Sequence, residues 1–275
     1  MRYSFDKKCA SNEAKSQKEF LKLIGQKTKP DERTPGLLLV GGSSSRHEAV
    51  RRAQAALRMD HLASYWSHAA VILEWGKDPE ATTGAEVTWE PWRPDLQVAE
   101  RNAVTLFPLS RYLKGRYPNL AFVAFSFKQP GKTSGSKSEA VDYRSAIREA
   151  VLSPNRDRFR YRFLDWLRIW GGYTYQPHGQ PNPLLAEVPV PGAGLCEYAF
   201  EAAGIDLTPG ATAPNACPET LWSTILYWQK RIGAHVDKVQ IFTLLRDPRC
   251  VARKTLSDTL ADDLSKGIDR KKEQR

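Results

Sequence analysis

Apolar and polar residues alternate along this chain with two different periods, which indicates a fold that mixes strands with helices. Short runs rich in aliphatic and aromatic residues, bounded by turn-forming residues, are typical of strands. Six segments show this pattern: GLLLVGG (36–42), SHAAVIL (67–73), AEVTWEPW (85–92), VTLF (104–107), NLAFVAFSF (119–127) and KVQIFTLL (238–245). A short helix is expected over LSRYLKG, directly after the fourth segment.

Helical periodicity accounts for much of the intervening sequence. Apolar residues recur every three or four positions in six segments, at 12–27, 47–59, 138–152, 156–171, 193–204 and 218–233. The SSSR stretch at 43–46 supplies a cap for the second helix, and Gly204 ends the fifth. The region 173–191 is too rich in Pro and Gly for regular structure, and loops of this length are commonly functional.

Length and composition predict one large folded domain. The chain has 275 residues, of which 41% are hydrophobic, and this is enough to bury a substantial core. The pattern divides the chain into a helical N-terminal extension and linker at 1–34, a body at 35–245, and a basic tail at 246–275 that is helical or disordered.

Two simple features bear on location. No apolar run approaches the roughly 18 residues of a membrane span, and the first thirty residues lack the apolar core of a signal peptide. The sequence therefore predicts no transmembrane segment and a protein that is cytoplasmic where it is synthesised. Export by a route that uses no cleaved signal is compatible with this pattern.

The net charge of +10 is typical of proteins that bind nucleic acid, because basic surfaces gain free energy by displacing counterions from phosphate. The charge is spread along the chain, however, and its densest segment, RDRFRYRFLDWLRIW (156–170), has helical spacing. An amphipathic helix with arginines in water is expected there, and no specific binding of nucleic acid. The aromatic and aliphatic residues predicted to face the core are Phe159, Phe163, Trp166, Leu167 and Trp170.

The candidate chemistry involves one histidine and one cysteine. His68 opens an apolar strand, and Cys196 is predicted to lie in the first turn of its helix, where unpaired N–H groups favour a thiolate. A thiolate nucleophile needs a base to carry protons, which His68 could supply. The four cysteines lack the paired spacing of a zinc site, so we expect free thiols, with no metal and no cofactor.

The order of these features resembles a known superfamily. The chain presents, in this order, a strand, a Ser-rich turn, a helix, SHAAVIL, an acidic strand and, much later, a Cys-led helix continuing into AAGIDLTPG. This order is similar to that of the circularly permuted papain-like (NlpC-type) cysteine hydrolases, in the branch related to lecithin:retinol acyltransferase. The resemblance covers roughly residues 35–225 and implies an α+β fold. In that fold an antiparallel sheet packs against helices and the nucleophile stands at a helix N-terminus.

The resemblance also implies roles for individual residues. Cys196 matches the nucleophile, His68 the base, and Glu90 of TWEP the acidic third residue, while Glu86 on the same strand face is the alternative. The acidic group would hold the imidazole in its productive tautomer. If this holds, the imidazole lies about 3.5–4 Å from the Cys196 sulfur, with the acidic residue on its other nitrogen.

The implied function is cleavage of an amide or ester through a thioester acyl-enzyme. The leading expectation is a peptidase or amidase, whose substrates would include cell-wall peptides if the protein is a delivered effector. The first alternative is a lipid acyltransferase or phospholipase of the same fold, so the expected partner is a peptide or an acyl lipid. The second alternative is a catalytically silent module that binds an acidic partner through its basic surface.

Overall fold

A single mixed sheet organises the molecule and carries the candidate residues. The computed structural model describes residues 12–58, 61–87, 104–127, 142–152, 163–175, 184, 192–209, 213–228 and 236–246. Within these residues seven strands form the sheet in the order β1-β7-β6-β2-β3-β4-β5. The strands are β1 (Glu13–Ala14), β2 (Gly36–Gly41), β3 (His68–Glu74), β4 (Thr83–Val87), β5 (Val104–Pro108), β6 (Asn119–Phe127) and β7 (Val236–Leu245).

Helices lie on both faces of this sheet. They are α1 (Gln17–Lys27), α2 (Ser45–Ala53), α3 (Tyr143–Leu152), α4 (Phe163–Thr174), α5 (Gly192–Glu201) and α6 (Pro218–Trp228). Buried residues of α3, α5 and α6 pack on the face that carries Leu37, Leu39 and Val71. Buried residues of α1 pack on the opposite face with Leu38 and Val40, so alternate residues of β2 serve two cores.

Most of the predicted elements are present. Every segment predicted as a strand overlaps one, and every segment predicted as a helix overlaps a helix. The first helix begins at Gln17 rather than at residue 12, because Glu13 and Ala14 form β1. A serine caps the second helix, where the Ser44 hydroxyl accepts from the amide of His47. Gly204 has a φ of +73°, a left-handed conformation that favours glycine just after a helix. No helix among the described residues combines the length and the apolar character needed to cross a membrane.

Three expectations need correction, and two of them concern the sheet. The sheet is mixed rather than antiparallel, because β1 runs parallel to β7. For the same reason residues 12–34 are not an extension outside the body. Phe20 and Ile24 of α1 are fully buried, and the Asn12 side chain donates to the Ile241 carbonyl oxygen.

The third correction concerns the basic aromatic helix, α4. Leu167 and Trp170, predicted to face the core, are 41% and 37% exposed. The buried residues are Ile169 and Tyr173, which pack with α2, so the core-facing side is rotated from the predicted one. The remaining side chains of that prediction, and the arginines up to residue 162, lie outside the described residues.

Replacing Gly25 with alanine is expected to raise the free energy of unfolding by about 0.5–1 kcal/mol. Gly25 lies inside α1, and an added Cβ would meet no atom within 4 Å. Urea unfolding of the variant measures the change. Gly204→Ala is the matched control, because its site is equally open but its positive φ makes alanine strained, so that variant should lose stability.

Candidate active site

His68 is held by a carboxylate from the neighbouring strand. It begins β3, is 3% exposed, and its Nε2 lies 2.7 Å from Oε2 of Glu86 on β4. A carboxylate can only accept, so Nε2 carries a proton and donates it to Glu86. The expected contact between the imidazole and an acidic residue of this strand is therefore present, and Glu86 makes it. Glu90, the first choice for this role, lies outside the described residues.

Glu86 has two further donors, both from the 3₁₀ turn Leu109–Leu113 that follows β5. Arg111 Nη1 lies 2.5 Å from Oε1, and the Tyr112 hydroxyl donates to Oε2. Burial by itself would raise the pKa of Glu86, but the hydrogen bond and charge of His68 and the charge of Arg111 outweigh it and lower that pKa. Burial and the Glu86 charge together raise the pKa of Tyr112 well above its usual value. Glu86 is thus ionised and Tyr112 is neutral.

The free edge of the imidazole faces the start of α5. Nδ1 of His68 has no hydrogen-bond partner among the described residues. A Cβ atom at Gly192, the first residue of α5, would lie 3.1 Å from Nδ1, 2.8 Å from Cε1 and 2.7 Å from the Ala69 carbonyl oxygen. Such distances are too short, so only glycine allows the helix to approach the ring this closely.

Cys196 does not occupy the predicted position. It is the fifth residue of α5, hence in the second turn, and it is fully buried. Burial raises the pKa of the Cys196 thiol well above its usual value, and the nearby Glu197 charge adds to this. The expectation of a first-turn cysteine with a favoured thiolate is wrong for this structure, since the deeper position removes the sulfur from water and from the helix end.

The predicted hydrogen bond between His68 and Cys196 is also absent, since Nδ1 has no partner in the described part of the chain. The reason is the alternation of β3. His68 shares a face with Ala70 and Ile72, which pack in the core that contains Tyr112. Cys196 packs with Ala69 and Val71 in the opposite core, about 6 Å along the helix axis from the Gly192 end.

A second buried polar network fixes the segment that leads into β3. The Ser64 hydroxyl donates to Oε2 of Glu219 on α6 at 2.6 Å. The Gln54 side chain donates to the Trp66 carbonyl oxygen and accepts from the Glu219 amide. These contacts tie α6 to the chain just before His68, so they support the position of the imidazole without touching it.

Glu197, next to Cys196, was not singled out by the sequence. It is 2% exposed, and burial raises its pKa to about 8, with a further contribution from the Asp206 carboxylate. Its Oε2 has no hydrogen-bond partner among the described residues. A protonated, buried carboxyl group therefore lies in the same helical turn as the candidate nucleophile. A glutamate inside an otherwise apolar helix stretch, GLCEYAF, was the available signal.

The free energy of unfolding is expected to fall as pH rises from about 4.5 to about 8, because the folded chain keeps a proton on Glu197 that the unfolded chain releases near 4.5. The loss attributable to this residue is roughly 2–4 kcal/mol. Urea unfolding between pH 5 and pH 8.5 measures it, and Glu197→Gln should flatten the slope. Glu201→Gln, on an exposed residue of the same helix, is the control; an equal change in both variants would contradict the assignment.

Comparisons with known proteins assign no family to the chain. No protein-family model matches it, and no curated protein does. The superfamily resemblance therefore stays a prediction. The functional argument rests on the geometry around His68 and on the position of α5.

Proposed function

We propose that this protein is a cysteine hydrolase of the circularly permuted papain-like type, with Cys196 as nucleophile, His68 as base and Glu86 as the residue that orients His68. One observation carries the proposal: a buried imidazole has Nε2 fixed by an ionised carboxylate, while Nδ1 has no partner among the described residues and faces the helix that carries Cys196. A base prepared in this way is what nucleophilic catalysis requires.

The proposed reaction cleaves an amide or an ester. Nδ1 of His68 takes the proton of the Cys196 thiol, and the sulfur attacks the carbonyl carbon. The bond to the leaving nitrogen or oxygen breaks, and the leaving group takes that proton from Nδ1. Water then gives a proton to Nδ1 as its oxygen attacks the thioester. The carbon–sulfur bond breaks, the acid is released, and the sulfur takes the proton back from Nδ1. An amide substrate is the first choice and an acyl lipid the second.

The reaction requires a movement at the start of α5, since Cys196 is fully buried and packs in the core opposite to the one that His68 faces. Two of the first three residues of this helix are glycines, Gly192 and Gly194, and each weakens a helix by about 1 kcal/mol relative to alanine. The unpaired Nδ1 adds a desolvation cost of about 1–3 kcal/mol to the observed conformation, which we call the closed form. Unwinding residues 192–195 would make Cys196 the first residue of the helix.

A second candidate function has a specific observation in its favour. The fully buried thiol with a raised pKa is what a catalytically silent module of the same fold would show. Such a protein would use its surface, with the chain's net charge of +10, to bind an acidic partner. The two functions differ in one property, which is whether Cys196 becomes acylated.

Intact-mass spectrometry of the purified protein tests the proposal. The protein is incubated at pH 8 with soluble peptidoglycan fragments in one arm and with a bacterial lipid extract in the other. An acyl adduct localised to Cys196 is expected in one arm, and that arm identifies the substrate class. The Cys196→Ser variant tests whether the adduct is on residue 196, because this variant should form either a more stable ester adduct or no adduct.

Cys217→Ser is the matched control, because Cys217 is also fully buried and burial raises its pKa to about 12. This variant should form the adduct normally. Iodoacetamide provides a substrate-independent measurement in the same samples. If neither extract acylates the protein, and Cys196 is alkylated no faster than Cys217, the hydrolase proposal is wrong and the binding module is favoured.

A further inference from the structure

The geometry points to Arg111 as a positioning residue that, through Glu86, limits how strongly the site holds a proton on His68. The role of Arg111 in catalysis rests on the proposed function, whereas its effect on the proton of His68 does not. Arg111 lies in the 3₁₀ turn that follows β5, and its guanidinium lies 2.5 Å from the carboxylate that holds the imidazole. It is 18% exposed at its side chain, whereas Glu86 is fully buried.

The argument begins with charge balance. Glu86 carries one negative charge in a site from which water is excluded. An arginine is always charged, so the Glu86–Arg111 pair is close to neutral. A proton added to His68 would then be an uncompensated positive charge in a buried place, which is unfavourable. Without Arg111, the Glu86 carboxylate would stabilise the imidazolium directly, and His68 would hold its proton to a higher pH.

The geometry also separates the roles of the donors. Arg111 uses Oε1, while His68 and the Tyr112 hydroxyl both use Oε2. Tyr112 contributes a hydrogen bond but no charge, because its hydroxyl keeps its proton. Arg111 is therefore the donor that changes the charge felt by His68, and Tyr112 is the one that fixes the carboxylate orientation.

Other titratable groups face this site from the elements packed around it. Glu86 is the one carboxylate within hydrogen-bond distance of the imidazole among the described residues. Tyr117 packs edge-on against Tyr112, and His47 of α2 contacts Tyr117 and the Ser67 hydroxyl. From α5 the thiol of Cys196 packs in the opposite core, Glu197 is buried next to it in sequence, and burial raises the pKa of both groups.

An NMR titration of histidine-labelled protein tests the inference, with the Cε1–H shift of His68 followed from pH 4 to pH 9. Arg111→Gln should move the His68 midpoint upward by about one pH unit. Arg111→Lys should keep the midpoint close to the wild-type value, because lysine retains the positive charge. Arg148→Gln is the matched control, since Arg148 pairs at 2.7 Å with Glu74 on the exposed surface, and its removal should leave the midpoint unchanged.

Glu86→Gln supplies the opposite arm and keeps the test usable if Arg111→Gln does not fold. With Arg111 retained and the carboxylate gone, the His68 midpoint should move downward. An Arg111→Gln midpoint within about 0.2 pH units of wild type, or an Arg148→Gln shift of the same size, overturns the inference. The titration uses neither Cys196 nor substrate, so a failure of the hydrolase proposal and a failure of this inference give different results.

Discussion

His68→Ala is expected to lower the rate of Cys196 acylation roughly 10²- to 10⁴-fold, the range typical for loss of a general base. The alanine variant has no group that can take the thiol proton, and Glu86 cannot replace it because its carboxylate is held by Arg111 and Tyr112. The rate is measured by intact mass against time, with whichever extract acylates the wild-type protein.

The matched control for this variant is His47→Ala. His47 is also buried, at 8% exposed, and lies close to the same region through its hydrogen bond to Ser67 next to His68 in sequence. Its ring bonds to the Ser67 hydroxyl and packs on Tyr117, so its loss should change the acylation rate only about threefold or less if the fold is retained. Equal losses in the two variants would mean that packing around β3, and not proton transfer, limits the rate.

Gly192→Ala is expected to lower the free energy of unfolding by about 1–3 kcal/mol, because the added methyl group has no room. One of its close neighbours is the Ala69 carbonyl oxygen, a backbone atom inside the sheet that cannot rotate away. The other is the imidazole of His68, whose position Glu86 fixes. Urea unfolding at pH 7 gives the magnitude.

Gly171→Ala is the control for Gly192→Ala. Gly171 also lies in a helix, but an added Cβ would meet only Leu184 at an ordinary 3.8 Å. This control should be neutral or stabilising, since alanine favours helix more than glycine does. If Gly192→Ala is equally neutral, α5 does not press on the imidazole and the proposed closed form loses its physical basis.

The sheet could be predicted because its strands are short, apolar and separated by turn residues. The superfamily resemblance, and not the strand pattern, implied that an acidic residue of the next strand contacts His68. The choice between Glu86 and Glu90 depended on pairing register, which a period-two pattern leaves open. Arg111 and Tyr112 could not be predicted, because a turn after an edge strand reaches Glu86 only through tertiary packing.

The position of Cys196 shows a different limit. Pattern alone places a helix near residue 196, but it leaves the first residue uncertain by several positions, and one turn decides whether a thiol is exposed or buried. Periodicity also does not say on which face of a strand the first residue lies when both faces are apolar. His68 and Cys196 are therefore brought to one region of the fold, and yet their side chains belong to different cores.

The placement of β7 has a consequence for how the nascent chain folds. This strand lies between β6 and β1, yet roughly a hundred residues separate it in sequence from β6, and it lies still farther from β1, so both pairings are of high contact order. During synthesis, strands β2 to β6 can associate early, whereas the outer edge of β6 stays unpaired until β7 leaves the ribosome. An open apolar edge of that kind is a point where newly made chains aggregate. The slowest step of folding is therefore expected to be the insertion of β7, and the first described strand of the chain is among the last to find its partner.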